Sequence, residues 1–348
     1  MEKVIVNETP IRTSRNFGIN NIKLENIVLP ENLNKFENVK ITSNHCEVSD
    51  VKPNVKLVYG MSNVFEENLE KNCNSALKVS SEKKDDICIE YCFDDSNADL
   101  LNYLEIEAIK DTNVIIKYIS NTDKECFHNG ILRVNAKNGA KLNIAIINLL
   151  NNKSLNFESI ENSFENDAVV NYTIIDIGAK TSVSNYYSNM VGRGSKNDLK
   201  TIYLGTDNQI KDINYIAELR GEKTDINIDV QGALKNHSKK NFKGTIDFKK
   251  GCKKAVGDEN EYCMLLTDDS KSIALPMLLC TEDDVEGNHS TASGKVDAQE
   301  LFYIMSRGIA YNDAIKLIVK SRFNKILERI KDEDLKTEIL QEIDRRLD

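Results

Sequence analysis

Proline is scarce in this chain. Its four prolines, at positions 10, 30, 53 and 276, leave the whole middle of the 348 residues uninterrupted. Because proline removes a ladder donor, that stretch is free to pair as strands along its length. No run of about 18 apolar residues occurs, so a membrane-spanning helix is not expected. The N-terminus, MEKVIVNETPIRT, lacks a charged region with an apolar one behind it. A secretory leader is therefore not expected, and the cytoplasm is the expected compartment. The phosphate-cradling Gly-x-x-x-x-Gly-Lys-Ser/Thr loop is missing, and GRGSKND at Gly192 matches it in composition only, without the strand-loop-helix setting. His-Glu-x-x-His, paired Cys-x-x-Cys and Gly-x-Ser-x-Gly are missing too, which disfavours the common metalloprotease and hydrolase chemistries. Positive charge is in deficit: 46 basic against 55 acidic residues give a net −9, which disfavours a nucleic-acid backbone as partner.

What is present is β-rich. Between about 85 and 255 the runs NVIIKYIS, LNIAIINLL, AVVNYTIIDI, KTIYLG, DINIDVQG and GTIDF follow one another with turn punctuation. Gly-x-Lys leads into an alternating segment at Gly139, Gly178, Gly221 and Gly251, at intervals of 39, 43 and 30 residues. A glycine corner followed by a strand, repeated, is what a stack of β coils produces. Periodicity alone leaves a sandwich or closed barrel open, whereas the missing strand-helix alternation excludes a doubly wound fold. The expected organisation is an irregular segment over 1–80, a β core over 81–296 and a helical block over 297–348.

The helical block has a mechanism. Asp297 with Glu300 reads as a capping box, and Gly308 after Arg307 supplies a left-handed stop, so a helix is expected over 298–307. Ile315, Ile318, Val319, Phe323, Ile326, Leu327 and Ile330 then recur at three- and four-residue steps, as do Leu335, Ile339, Leu340, Ile343 and Leu347. Each set is one apolar stripe on a further helix. Such a block could cap one end of a solenoid.

Eight cysteines in a chain expected in the cytoplasm read as free thiols, most simply as small buried hydrophobes. Cys88 and Cys92 alternate with Ile87, Ile89, Tyr91 and Phe93, which puts both thiols on the strand face opposite the large apolar residues. Their spacing is not that of a zinc knuckle. A more specific chemical signal is His289, with Cys280, Asp283, Asp284 and Glu286 nearby. Imidazole and thiolate suit iron or zinc, and a carboxylate can orient the imidazole from behind. The simpler alternative is a hydrogen-bonded turn histidine.

The segment DDVEGNHSTASGKVDAQELFYIMSRGIAYNDAIKLIV resembles the C-terminal signature of the SufB/SufD family, scaffold components of the Suf iron-sulfur cluster assembly machinery. The resemblance covers 276–330 and extends to TIYLG, NFKGTIDFKKG, CMLLTDDSKSIALPML and the opening segment ETPIRTSRNFGIN. It implies a right-handed parallel β-helix with a small helical C-terminal domain, matching the solenoid option. It also implies docking of the SufC ATPase on that domain, for which Phe302, Tyr303, Arg307, Ile315 and Ile318 are the expected residues on or beneath the surface. Pairing with a SufB-like subunit, or with a second copy, would complete a transient iron-sulfur cluster site at the junction, with His289, Cys280 and Glu286 as candidate ligands. SufB-like chains follow this histidine with a glutamate and carry a cysteine upstream of the Leu-Pro step. Here Ser290 follows, and Ser270 stands near the second position, so the chain is similar to SufD. The expectation is a non-enzymatic scaffold, with ATP hydrolysed by the partner. The alternatives are a homodimeric scaffold of a minimal system and a self-sufficient metal-binding solenoid. Flavin, a property of the family's complex, is not expected, because the chain is short for the family.

Overall fold

The computed structural model describes residues 3–13 and 18–348. Strands β1 (Lys3–Val6), β2 (Ile22–Glu25), β3 (Val39–Thr42) and β4 (Glu47–Asp50) precede helix α1 (Asn63–Asn72). The solenoid strands are β5 (Ser75–Ser81), β6 (Asp85–Phe93), β7 (Asp99–Ala108), β8 (Thr112–Ser120), β9 (Phe127–Ala136), β10 (Lys141–Leu149), β11 (Leu155–Phe164) and β12 (Val169–Asp176). They continue as β13 (Thr181–Met190), β14 (Lys196–Gly205), β15 (Ile210–Leu219), β16 (Asp225–Leu234), β17 (Lys239–Phe248), β18 (Ala255–Leu265), β19 (Lys271–Cys280) and β20 (Val285–Lys295). Helices α2 (Ala298–Ser306), α3 (Tyr311–Leu327) and α4 (Glu333–Leu347) follow.

Even-numbered strands β6 to β20 lie side by side in sheet one and odd-numbered β5 to β19 in sheet two, neighbours running parallel. The result is a parallel β-solenoid of about eight turns, the first of the all-β options left open by the sequence. One coil is two strands and two turns, and its length varies little. Leu155 pairs with Thr181, 26 residues on, and Lys239 with Lys271, 32 on.

That period corrects the Gly-x-Lys spacing. Gly139, Gly221 and Gly251 sit in turns leading from sheet two to sheet one, whereas Gly178 sits in a turn of the opposite sense. Only Gly139 and Gly251 use a left-handed backbone, at φ 66° and 102°. Elsewhere Asp167, Asp207, Lys223, Asn236 and Lys254 adopt it. Because several residue types serve at these corners, glycine intervals do not mark the repeat.

Strand alternation fills the interior. In β6, Ile87, Ile89, Tyr91 and Phe93 are buried and Cys88, Glu90 and Cys92 face outward, as the sequence alternation implies. Tyr91 stacks on Tyr118 of the next coil with centroids 5.4 Å apart. Both flanks are covered. Val6, Leu24, Phe65 and Leu69 pack over Leu101, Tyr103 and Phe157 on the outside of sheet two. The stripes of α3 and α4, including Phe323, Ile326 and Ile339, pack over Ile147, Ile175 and Ile202 on the outside of sheet one. Phe323 is fully buried there, so Phe323→Ala should cost about 3–5 kcal/mol in urea denaturation.

The two ends differ. At the N-terminal end β3 and β4 reverse direction and pair antiparallel with β6 and β5, and Phe36 plugs the first coil against Tyr91 and Phe93. At the other end β19 and β20 are sheet edges. The expected helical cap does not form. The apolar columns of sheet one offered α3 and α4 a large dry partner on the flank, and their buried faces lie there instead. Helix boundaries follow the sequence signals closely. Asp297 caps α2 by accepting from the Gln299 and Glu300 amides, and Gly308 takes φ 90°.

Candidate functional site

The open end is built from the last two coils. In β18 the inward positions are Gly257, Glu259, Glu261 and Cys263, all buried except for traces. Parallel pairing places Gly287, His289, Thr291 and Ser293 of β20 directly beside them. His289 is therefore on the inward-facing side of the terminal strand, in register with Glu259, and is exposed because no further coil covers it. Across the lumen, Cys280 ends β19 in register with the inward Phe248. Its exposed thiol donates to the Glu282 carbonyl at 2.9 Å. Ser272 and Ser293 tie the two edge strands together through their hydroxyls, 2.8 Å apart.

Glu286 does not join this face. It pairs with Val256 and lies three residues from His289, so a period of two turns it outward. Among the described residues no three His, Cys, Asp or Glu side chains are placed to hold a metal ion together. Cys88 and Cys92 are far along the solenoid, on the outward face of β6, where the Cys92 thiol donates to Glu90 at 3.3 Å.

Sequence reasoning missed the lumen beneath His289. Glu259 is fully buried, and neither carboxylate oxygen has a hydrogen-bond partner. Burial, and secondly the charge of Glu261, push its carboxyl up to about 8. The carboxyl reaches across to β17, where a Cβ on Gly244 would lie 2.1 Å from it, so any side chain at that position would have to displace the carboxyl. Glu261 is compensated: Lys240 Nζ is 2.7 Å away and the Tyr203 hydroxyl donates at 2.9 Å. Burial also raises the Cys263 thiol, partly opposed by Lys240. The alternation of Glu259, Glu261 and Cys263, one coil before His289, was the available sequence signal. It passes unnoticed without the coil length.

Comparison with known proteins fits this architecture. Residues 99–322 match the family described as SUF system FeS cluster assembly, SufBD core domain. The chain belongs to the SufB/SufD family. Among curated SufBD relatives, the iron-sulfur cluster assembly protein SufD of Bacillus subtilis is 26% identical over 166 residues, 48% of this chain and 38% of that protein. SufD of Escherichia coli is 30% identical over 106 residues, 30% of this chain and 25% of that one. An iron-sulfur cluster assembly SufBD family protein of Mycobacterium leprae is 21% identical over 227 residues, 64% of this chain and 26% of that protein. The chain thus spans between 25% and 38% of the length of these relatives.

The matched SufBD region contains Cys280, His289 and α2. Helix α2 buries no residue fully: Leu301 and Ile304 lean on the flank cluster, while Phe302 is 75% and Tyr303 59% exposed. Arg307 stacks its guanidinium 5.1 Å from the Tyr303 ring and donates to its hydroxyl. Ile318 is buried and Ile315 half-buried. In the opening segment, Thr9 and Asn20 pair through backbone atoms, and residues 14–17 lie outside the described residues. Among the described residues no helix is long and apolar enough to cross a membrane.

Proposed function

We propose that this chain is a SufD-like scaffold subunit of iron-sulfur cluster assembly, without catalytic chemistry of its own and acting in the cytoplasm. The observation that carries the reading is the uncapped terminal coil, which presents His289 on the inward side of an edge strand. An exposed edge is a template for another strand, and pairing with a SufB-like chain would satisfy its backbone groups. The junction would then enclose His289 and Cys280 beside ligands from the second chain. Imidazole and thiolate are suited to iron, so a cluster carried as cargo could be completed there from two sides.

The exposed aromatic face of α2 is a docking surface for a SufC-type ATPase. Phe302, Tyr303 and the stacked Arg307 have the chemistry of interface anchors. An ATPase that binds two arrangements of the pair with different affinity shifts the population between them, which would open or close the junction.

Coexpression with SufB-like and SufC-type chains tests this, with particle size and iron content as readouts. His289→Ala should leave the complex intact and deplete its iron. Phe302→Glu together with Tyr303→Glu should release the ATPase alone, with the melting temperature unchanged. Iron retained without His289, or ATPase retained by the double variant, would overturn the corresponding assignment. Deleting the helices is a poor test, because α3 and α4 cover the apolar flank of sheet one.

A further inference from the structure

The outward face of sheet one carries a second built feature, remote from the open end. Strand register aligns Asp86, Asn113, Asn143, Asn171 and Asp198 in one column across successive coils. The amides bond rung to rung: Asn171 donates to Asn143 at 2.9 Å, Asn143 to Asn113 at 2.8 Å and Asn113 to Asp86 at 2.5 Å. Each rung spends one N–H on the ladder. The second N–H of each amide is left for an acceptor lying over the column.

In the neighbouring column Ala145 and Thr173 stand between the larger Ile115 and Lys200, in register, which makes a dip. The end of α3 and the turn after it overhang the half-buried Ala145 and Ile115 and, with Ile326 and Ile330 packed down onto the sheet, bound an open cleft of about 810 Å³. That lies within the range of about 300–1,000 Å³ typical of small-molecule sites.

Most of the charge lining the cleft is already committed. Arg329 holds Asp198 at 3.1 Å. Lys200 bridges Asp198 and Asp229 at 3.3 and 3.5 Å. Asp332 caps α4 by accepting from the Asp334 and Leu335 amides. Asp86 terminates the ladder at its far end. Lys325 and Lys331, on the overhanging rim, are lining residues for which no ion pair is found among the described residues.

We propose that this cleft binds a phosphate-bearing nucleotide. The flat base would lie on Ala145 and Ile115 beside the overhanging end of α3, with its ring acceptors toward the free amide N–H groups of Asn143 and Asn171. The phosphates would sit between Lys325 and Lys331. An apolar slot, a row of donors and two uncommitted cations match that ligand class, and neither a free phosphate nor a neutral aromatic uses all three. The site does not depend on the scaffold reading, because it lies on one chain and away from both the open end and α2.

Calorimetric titration of the full chain alone with ADP, adenosine and pyrophosphate tests the assignment. ADP should bind saturably at one site per chain, at least about tenfold more tightly than adenosine or pyrophosphate. Lys325→Ala with Lys331→Ala, both exposed, should weaken ADP at least about tenfold and leave adenosine unchanged. Ala145→Phe, which fills the dip, should abolish binding. Asn143→Ala serves as a second variant if that substitution lowers the melting temperature, and should weaken ADP severalfold. No saturable binding up to about 1 mM would overturn the proposal. Pyrophosphate binding as tightly as ADP, or ADP affinity unchanged in every variant, would do the same.

Discussion

Glu259→Gln should make the protein more stable at pH 8, and the gain should vanish in acid. The native carboxyl is pushed up to about 8 by burial in the lumen, against an ordinary value of 4.5 in the unfolded chain. A raised native value means that the folded chain holds the proton more tightly. Its favourable contribution is complete below about pH 4.5 and is lost progressively as pH rises to about 8. At about 1.4 kcal/mol per unit, the total loss is roughly 5 kcal/mol, an upper figure because local relaxation relieves part of it. Glutamine keeps the shape and never ionises, so the variant should match the parent near pH 4.5 and exceed it increasingly toward pH 8. Urea denaturation across that range gives the difference curve. Comparison with the parent is needed because Glu158 and Glu66, both pushed up to about 7, tilt the parent's own profile in the same direction. A flat difference curve would show that Glu259 is solvated or paired in solution.

Lys240→Met should be among the most damaging single changes in the lumen. Lys240 and Glu261 are a fully buried pair, and removing the cation strands Glu261 beside a second buried carboxyl, Glu259. Breaking such a pair from one side costs about 3–5 kcal/mol, whereas replacing both partners by apolar groups is often neutral. The expected result is a large loss for Lys240→Met and recovery of most of it in Lys240→Met with Glu261→Met. Denaturation midpoints of the four proteins in the cycle give the coupling. If the double variant is no better than the single, the pair is not what holds Lys240 in place.

Both predictions concern a region that a stable scaffold has no evident need to make polar. Further from the open end, the lumen holds stacked tyrosines and aliphatic side chains, and its polar groups are paired: His128 bonds Asn102 and Asn156, and Glu158 accepts from the Tyr118 hydroxyl. Next to the opening it holds Glu259, Glu261, Lys240 and Cys263. An unpartnered buried carboxyl kept at a stability cost marks a place where function and stability pull apart.

Local signals in the sequence carried far. Asp297 and Gly308 set the limits of α2 because capping and left-handed stops act over one helical turn, and the Ile87-to-Phe93 alternation assigned both faces of β6 for the same reason. What escaped reading depended on one number, the coil length. Without an offset of about 26–32 residues, Glu259 could not be placed beneath His289, nor Asn113 beside Asn143 and Asn171. The corner residues concealed that number by drawing on aspartate, asparagine and lysine as freely as on glycine. Glu286 is near His289 along the chain but not in space, because on a strand three residues lead to the opposite side.

The contrast between the two ends of the solenoid limits how such molecules can grow. A rod whose one tip is stoppered by Phe36 and blunted by two short reversed strands offers a neighbour its long parallel edges only at the other tip. Tip-to-tip joining through the open edges would therefore stop at two rods, because the exposed edge that would seed a fibre in a symmetric stack would be used up by its first encounter.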